Sequence, residues 1–269
     1  MEMAERVDYL LIMNLFDDIG YLLKNYYNLY LQGLASTLIL AIIGTAVGLG
    51  LGMFLGLGKN MKITYRDRWY TKVYKYPIIW FCYAYSAVVR GTPMMVQALI
   101  FKYGCQALGL NWNAILPGIP VLDGWLIAGL IVITLNTAAY MGEIIRAGLN
   151  GVDRGEIEGA RSLGMTSLQT MLTVALPQAI RNSLPTIGNE WIVNIKDSSV
   201  LNVIGVTELF FQSGQAVNKN YKFMATYIII AIMYLILTLL ATGLLKLVEM
   251  KMDGKKFKFS FFHYRKAEA

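Results

Sequence analysis

The chain has one histidine, His263, and two cysteines, Cys82 and Cys105. Such a supply of imidazoles and thiols excludes the usual metal-binding clusters. It also leaves no histidine in the apolar segments to serve as base for an embedded nucleophile, so no catalytic residue is expected. No Gly-x-x-x-x-Gly-Lys-Ser/Thr run occurs, which excludes nucleotide hydrolysis by this chain alone. The N-terminus, Met-Glu-Met-Ala-Glu, has neither the basic region nor the cleavage site of a signal peptide, and nothing is expected to be removed from it. Charge is scarce too: 15% of residues are Asp, Glu, Lys or Arg, against about 25% in soluble domains.

Apolar residues fill the gap. They make up 56% of the 269 residues, and the mean hydropathy is +0.49. A bilayer span needs about 20 mostly apolar residues. Charge is absent between Lys24 and Lys59, from Gly124 to Gly142, and between Thr226 and Leu245; from Tyr76 to Phe101 the only charge is Arg90. A fifth run, roughly Asn182 to Asn202, is interrupted by Glu190, Lys196 and Asp197. The expected fold is therefore all-α and polytopic, with five transmembrane helices. If the second span is helical, Cys82 and Cys105 lie about 35 Å apart, far beyond the reach of a disulfide, and two free structural thiols are expected.

The net charge of +7 is compatible in principle with nucleic acid, but its distribution points to a membrane. Lys59, Lys62, Arg66, Arg68, Lys72 and Lys75 cluster against one Asp67, and Lys246, Lys251, Lys255, Lys256, Lys258, Arg265 and Lys266 cluster in the tail. The intervening segments, before Asn25, between Lys102 and Gly124 and between Gly205 and Tyr221, are acidic or nearly neutral. Alternating basic and non-basic loops imply an outside N-terminus, an inside C-terminus, contact with lipid and no nucleic-acid partner.

Within this frame, residues 8 to 28 mix aromatics, acids and aliphatics, as an amphipathic helix at the outer interface does. Gly44, Gly48, Gly52 and Gly56 share one face of the first span, smooth enough for a neighbouring backbone to approach. Pro77 is placed to start the second span and Pro93 to kink it. Arg90, near mid-depth, either lines a path or pairs with an acid such as Glu190. Glu143 and Arg146 are spaced to pair along a helix. Residues 104 to 123, with Asn111, Pro117, Pro120 and Asp123, form an outer loop suited to an external partner. The run Lys196-Asp197-Ser198-Ser199 marks a break in the fourth span, where irregular backbone can line a cavity.

Residues 153 to 177 read DRGEIEGARSLGMTSLQTMLTVALP. Asp153 with Glu156, and Thr166 with Gln169, have capping-box spacing. Gly164 falls where a helix C-terminus takes a left-handed residue. Two short helices are expected, with Ile157, Ala160, Leu163 and Leu168 on one apolar face, Pro177 ending the second and Pro185 shaping the approach to the fourth span.

This stretch resembles the EAA loop of permease subunits in ATP-binding cassette importers. The corresponding residues are Glu158-Gly159-Ala160, Gly164 and Val174-Ala175-Leu176-Pro177. Arg90-Gly91-Thr92-Pro93, Ile145-Arg146-Ala147-Gly148, Ser162-Leu163-Gly164-Met165, Leu176-Pro177-Gln178-Ala179 and Lys196-Asp197-Ser198-Ser199 are similar to the polar amino-acid subgroup (histidine, glutamine, glutamate, arginine and opine). The likeness covers about residues 30 to 248. Gly159 stands where the family has alanine, Glu156 where glutamine is usual, and the Lys59 to Lys75 loop is long for the subgroup.

The resemblance implies a type I, MetI-like permease of the bacterial cytoplasmic membrane. It implies a second permease subunit, identical or paralogous, two cytoplasmic ATPases that carry ATP and Mg, and an extracytoplasmic amino-acid-binding protein. This chain would bind no cofactor. Its coupling residues would be Gly155, Glu156, Glu158, Gly159, Ala160, Arg161, Leu163 and Gly164. Arg90, Gln97, Asn136, Glu190, Asn194 and Lys196 are candidates for the substrate path by their depth. Arg90 could take a cargo carboxylate and Glu190 its ammonium. Residues 1–28 would form the interfacial segment, 29–248 the permease domain with its coupling loop at 150–177, and 249–269 a basic cytoplasmic tail. Two competing classes remain: a membrane-embedded enzyme, and an ion-coupled carrier or channel working without an ATPase.

Overall fold

A computed structural model describes residues 2–63, 65, 68–110 and 124–253. All regular structure among them is helical: α1 (Glu2–Lys59), α2 (Trp69–Gly91), α3 (Met94–Ala107), α4 (Gly124–Asn150), α5 (Arg154–Ser162), α6 (Ser167–Thr170), α7 (Leu176–Asp197), α8 (Leu209–Asn220) and α9 (Phe223–Asp253). A π-helical turn, Met171–Ala175, joins α6 to α7, and a 3-10 stretch, Ser198–Ile204, follows α7. Among the described residues three stretches are long and apolar enough to cross a membrane: Asn14–Lys59, Gly124–Asn150 and Phe223–Met252.

The interfacial segment and first span expected from the sequence form one unbroken helix of 58 residues. At 1.5 Å per residue it is about 87 Å long, nearly three times the hydrocarbon thickness of about 30 Å. Its glycine face packs on α4. A Cβ on Gly44 would sit 2.7 Å from the Ile133 side chain, one on Gly48 2.9 Å from Thr137, and one on Gly56 2.9 Å from the Gly142 carbonyl; Gly52 is pressed against Met141. The glycines therefore act as the packing surface the spacing predicts. α4 in turn crosses α7, where Gly148 lies against Ser183 and the Ala179 carbonyl.

The second span departs from expectation. Pro77 does not start a helix; α2 begins eight residues earlier, at Trp69, and Pro77 lies inside it. Pro93 does more than kink the span. The chain breaks into extended backbone at Thr92 and Pro93, and α3 starts anew with Pro93 as its N-cap. A proline ring cannot donate a hydrogen bond and clashes with the preceding turn, and the residue before proline avoids helical backbone. Pro177 is another reversal. It does not end a helix: it lies in the first turn of α7, which continues in helical backbone from the π-helical turn before it, and Pro185 lies within α7.

The basic loop from Lys59 to Lys75 is mostly helical at its ends, leaving only residues 60 to 68 between α1 and α2. Lys59 is no loop cation: its side chain is 0% exposed and bonded to Glu143. Cys82 and Cys105 are free and buried. Residues 111–123, which carry most of the expected outer docking loop, and 254–269, most of the tail, lie outside the described residues. The segment after Gly205 contains a feature the sequence reading missed. Glu208, fully buried, caps α8 by accepting from the Phe210 and Phe211 N–H groups at 2.8 and 2.7 Å, and the Tyr234 hydroxyl of α9 donates to it at 2.8 Å.

Candidate functional site

A cavity of about 570 Å³ opens where the α2–α3 break faces α4 and α7. Arg90 and the Gly91–Pro93 turn form one wall, Asn136 and Tyr140 of α4 a second, and Glu190 and Asp197 of α7 a third. Of the six path candidates, the structure brings Arg90, Asn136 and Glu190 to this lining. Tyr140 and Asp197 were missed. The signal was available in each case: Tyr140 follows Asn136 by four residues and Asp197 follows Glu190 by two turns, so each pair shares a helix face.

Arg90 pairs with Glu143, not with Glu190. Its guanidinium is 3.5 Å from Glu143 Oε1 and stands over the Tyr140 ring, 5.4 Å from its centroid. Glu143 also accepts from Lys59 Nζ at 2.7 Å and from Arg146 at 2.8 Å. The expected Glu143–Arg146 pair is thus present within a larger cluster of three cations on one carboxylate. Lys59 and Arg146 hold Glu143 closely, so Arg90, the most distant cation, has the weakest claim on it. Its guanidinium remains accessible for a second anion.

Gln97 has a different place from the one expected. Pro93 has no N–H to offer the Val89 carbonyl four residues back, and Gln97 Nε2 fills that vacancy at 2.7 Å. The same amide reaches the Thr92 carbonyl and hydroxyl at 3.0 and 2.9 Å. Its oxygen accepts from Asn136 Nδ2 at 3.0 Å. Gln97 therefore splints the helix break that carries Arg90 and ties it to α4; it does not line the cavity.

Asn194 is likewise internal. It is 3% exposed and donates to Thr45 Oγ1 of α1 at 2.8 Å and to Thr137 Oγ1 of α4 at 3.0 Å. A side chain satisfied between three helices is structural glue. Lys196 lines a second, smaller cavity with Ser199, Phe210, Tyr227 and Tyr234. The break expected at residues 196 to 199 is present as a tightening from α to 3-10 helix after Asp197, closed by Gly205 in left-handed backbone, φ 97°.

The second candidate region is α5 and its flanks. Asp153 caps α5 by accepting from the Gly155 N–H at 2.7 Å. The capping box expected here is not formed: Asp153 takes the N–H of Gly155 rather than that of Glu156, and the Glu156 carboxylate accepts instead from Gln178 of α7. The Thr166–Gln169 box is complete. At the C-terminus Gly164 is left-handed, φ 85°; its N–H donates to the Arg161 carbonyl and the Met165 N–H to that of Ala160. This Schellman arrangement satisfies the last carbonyls.

The expected apolar face of this helix pair divides in two. Ile157 and Ala160 pack inward, Ala160 at 7% exposure. Leu163 is 86% and Leu168 67% exposed, because the turn at Gly164 swings them away from the core. Gly155, Glu156, Glu158, Gly159, Arg161 and Gly164 are exposed as well. The result is a capped, rigid helix with a bare outer surface. It is joined to α4 by the short turn at residues 151–153 and tethered to α7 through Glu156 and Gln178. α4 and α7 are the helices that carry two walls of the cavity.

Residues 48–254 match the family described as binding-protein-dependent transport system inner membrane component. The arginine transport system permease protein ArtQ of Bacillus subtilis (strain 168) is 35% identical over 83% of this chain and 92% of its own length. The glutamine transport system permease protein GlnP of Escherichia coli (strain K12) is 31% identical over 83% and 93%. Among solved structures, an amino acid ABC transporter with histidines is 37% identical with a TM-score of 0.71, covering 85% of this chain and 96% of that one. The inward-facing MetNI methionine ABC transporter, at 17% identity and TM-score 0.60, shares the fold. These likenesses disfavour a carrier or channel acting without an ATPase. A family match over more than half its length, together with these relatives, makes this chain a member of the binding-protein-dependent transport system inner membrane component family.

Proposed function

We propose that this chain forms the translocation path of an ATP-driven amino-acid importer in the bacterial inner membrane and is moved by a separate ATPase. The observation that carries the mechanical part is the bare, doubly capped α5, attached to both α4 and α7. Force applied to its exposed surface around Glu158 and Leu163 passes directly into two cavity walls. Side-chain caps and the Glu156–Gln178 bond keep the helix from absorbing that force by fraying. Gly155, Glu156, Glu158, Gly159, Arg161, Leu163 and Gly164 form the contact surface, and Ala160 anchors it to the core.

In this reading the chain crosses the membrane five times: α1, the broken α2–α3 pair, α4, α7 and α9. The N-terminus is outside and the α5 region and tail are inside. Two ATPases, which bind the ATP and Mg, grip two such permeases, and an outer binding protein delivers cargo. The chain itself catalyses no reaction. The Arg90 guanidinium takes the cargo carboxylate, a charge-assisted and bidentate contact, and Glu190 takes its ammonium. The broken backbone at Thr92 and Pro93 is tolerated at membrane depth because it lines a cavity.

The test is Glu158→Lys in the reconstituted complex. Glu158 is exposed in this chain, so the reversed charge leaves the fold of the permease unchanged and acts on the contact surface. Binding-protein-stimulated ATP hydrolysis is expected to separate from amino-acid uptake, with uptake falling at least about tenfold, the effect of roughly 1.4 kcal/mol of lost coupling. Unchanged coupled uptake refutes the assignment of this surface.

A further inference from the structure

Arg68, Lys72 and Lys75 recur at spacings of four and three and form one stripe at the start of α2. Lys62, in the chain that leads into it, is exposed, and so is Arg68. Lys75 Nζ donates to the Lys62 carbonyl at 3.1 Å, which holds that lead-in segment against the stripe. Arg68 donates to the Tyr70 hydroxyl at 3.0 Å, and Lys72 stands over the Tyr65 ring, 5.7 Å from its centroid. These contacts orient the cations without neutralising them. Among the described residues Lys62, Arg68 and Lys72 form no ion pair.

The neighbouring face of the same turns is apolar and bare. Trp69, Val73, Tyr76 and Trp80 recur at spacings of four, three and four, and all are exposed, Trp69 at 77% and Trp80 at 72%. Gly58 of α1 abuts Ile78 and Cys82, and no residue of α2 before Cys82 is buried.

A helix with an aromatic stripe beside a basic one fits a membrane–water boundary. Indole and phenol rings settle at headgroup depth, and lysine and arginine stems lie along the apolar layer with their charges at its surface. The aromatic stripe fits any lipid. Cations without a counter-charge on its flank favour an anionic headgroup over a zwitterionic one.

We infer that the start of α2 is a binding site for anionic phospholipid headgroups, with Lys62, Arg68 and Lys72 meeting the phosphate charge and Trp69 and Trp80 seated beside the upper acyl chains. The site lies in the leaflet on the α5 side, because Gly56 abuts Ile145 close to the end of α4. α2 runs from this site to Arg90 without a break, so bound lipid anchors the base of the helix that forms one wall of the cavity. This assignment rests on the reading of α2 as part of a membrane span and is independent of the cargo.

The test places the complete transporter in vesicles of equal parts phosphatidylcholine and phosphatidylglycerol, with one or the other lipid brominated to quench nearby indoles. The signal of Trp69 and Trp80 is the difference between a complex and the same complex carrying Trp69→Phe and Trp80→Phe. Phosphatidylglycerol is expected to be preferred by at least about fivefold in relative affinity, the effect of one cation near an anionic headgroup. Replacing Lys62, Arg68 and Lys72 together with glutamine should bring the ratio to within about twofold of unity. Raising salt to about 1 M, where charges are screened beyond about 3 Å, should lower the wild-type ratio at least about threefold. The salt arm needs no variant and decides the outcome if the triple variant fails to assemble.

Equal quenching by the two lipids overturns the assignment, and so does a preference that persists in the triple variant or in salt. Quenching by neither lipid nor aqueous iodide shows the face covered by protein, as a second permease subunit would cover it; that overturns the lipid site and leaves the span standing. Quenching by iodide alone puts the helix outside the bilayer and removes the span reading and the lipid site together.

Discussion

Replacing Gln97 with leucine tests whether a side chain that touches no cargo sets the geometry of the cavity. The perturbation removes the donor that stands in for the N–H missing at Pro93, so the Val89 carbonyl loses its partner at 2.7 Å. It also removes the acceptor of the Asn136 amide at 3.0 Å. Both bonds are partly buried. A fully buried orphan costs about 1–3 kcal/mol, and the lower end applies to each of these, giving roughly 2 kcal/mol in total. The break between α2 and α3 can recover part of this only by shifting, and Arg90 shifts with it. Under the cargo-path reading, about 1.4 kcal/mol of lost placement is a tenfold rise in KM.

The assay is amino-acid uptake by proteoliposomes holding the complete transporter. KM should rise about tenfold, while basal ATP hydrolysis and the yield of assembled complex stay near wild type. Gln97→Glu, which keeps the acceptor for Asn136 but loses the donor for Val89, should fall between the two. If Gln97→Leu leaves KM unchanged, or if it lowers assembly and basal hydrolysis together, Gln97 does not position Arg90 and the reasoning fails.

Glu143→Gln leaves the wholly enclosed Lys59 ammonium without its counter-ion. Breaking one side of a buried pair costs about 3–5 kcal/mol, so assembled complex recovered from membranes should drop severely, and Lys59→Met in the same chain should restore much of it. Asn194→Leu orphans Thr45 and Thr137 between three helices; the melting midpoint of the detergent-solubilised complex should fall while KM for cargo stays within about twofold of wild type, because the side chain is a structural tie. A selective change in KM would instead return Asn194 to the cargo path.

Much of the helical layout could be read from the chain because bilayer and helix impose strong local rules. Charge-free runs marked α1, α4 and α9, a four-residue glycine spacing marked the face of α1 that meets α4, and turn chemistry marked the caps at Asp153, Thr166 and Gly164. Elements governed by a single local residue were less secure. Pro77 and Pro177 each suit more than one position in a helix, and which one they occupy depends on where neighbouring helices support the backbone. Pro93 showed that the span was disturbed but not that it would break outright, since the break depends on Gln97 to satisfy the freed Val89 carbonyl and on Asn136 to hold Gln97 in place.

The cavity illustrates the same division. Depth in the membrane follows from sequence position, so Arg90, Asn136, Glu190, Gln97, Asn194 and Lys196 all emerged as polar groups at suitable depth. Depth leaves the direction of a side chain open, and direction is a property of how helices are rotated against one another. That rotation sent Asn194 toward Thr45 and Thr137, Lys196 into a separate pocket, and Gln97 onto the backbone of the helix break. It drew Arg90 to Glu143, far from it in sequence, and exposed Leu163 by the turn at Gly164. The sequence by itself determined the class of the chain and the position of its capped segment around α5, because periodicity, charge and turn residues act locally. Only the tertiary structure decided which polar groups share the cavity, because that depends on the packing of α2, α3, α4 and α7 around a broken helix.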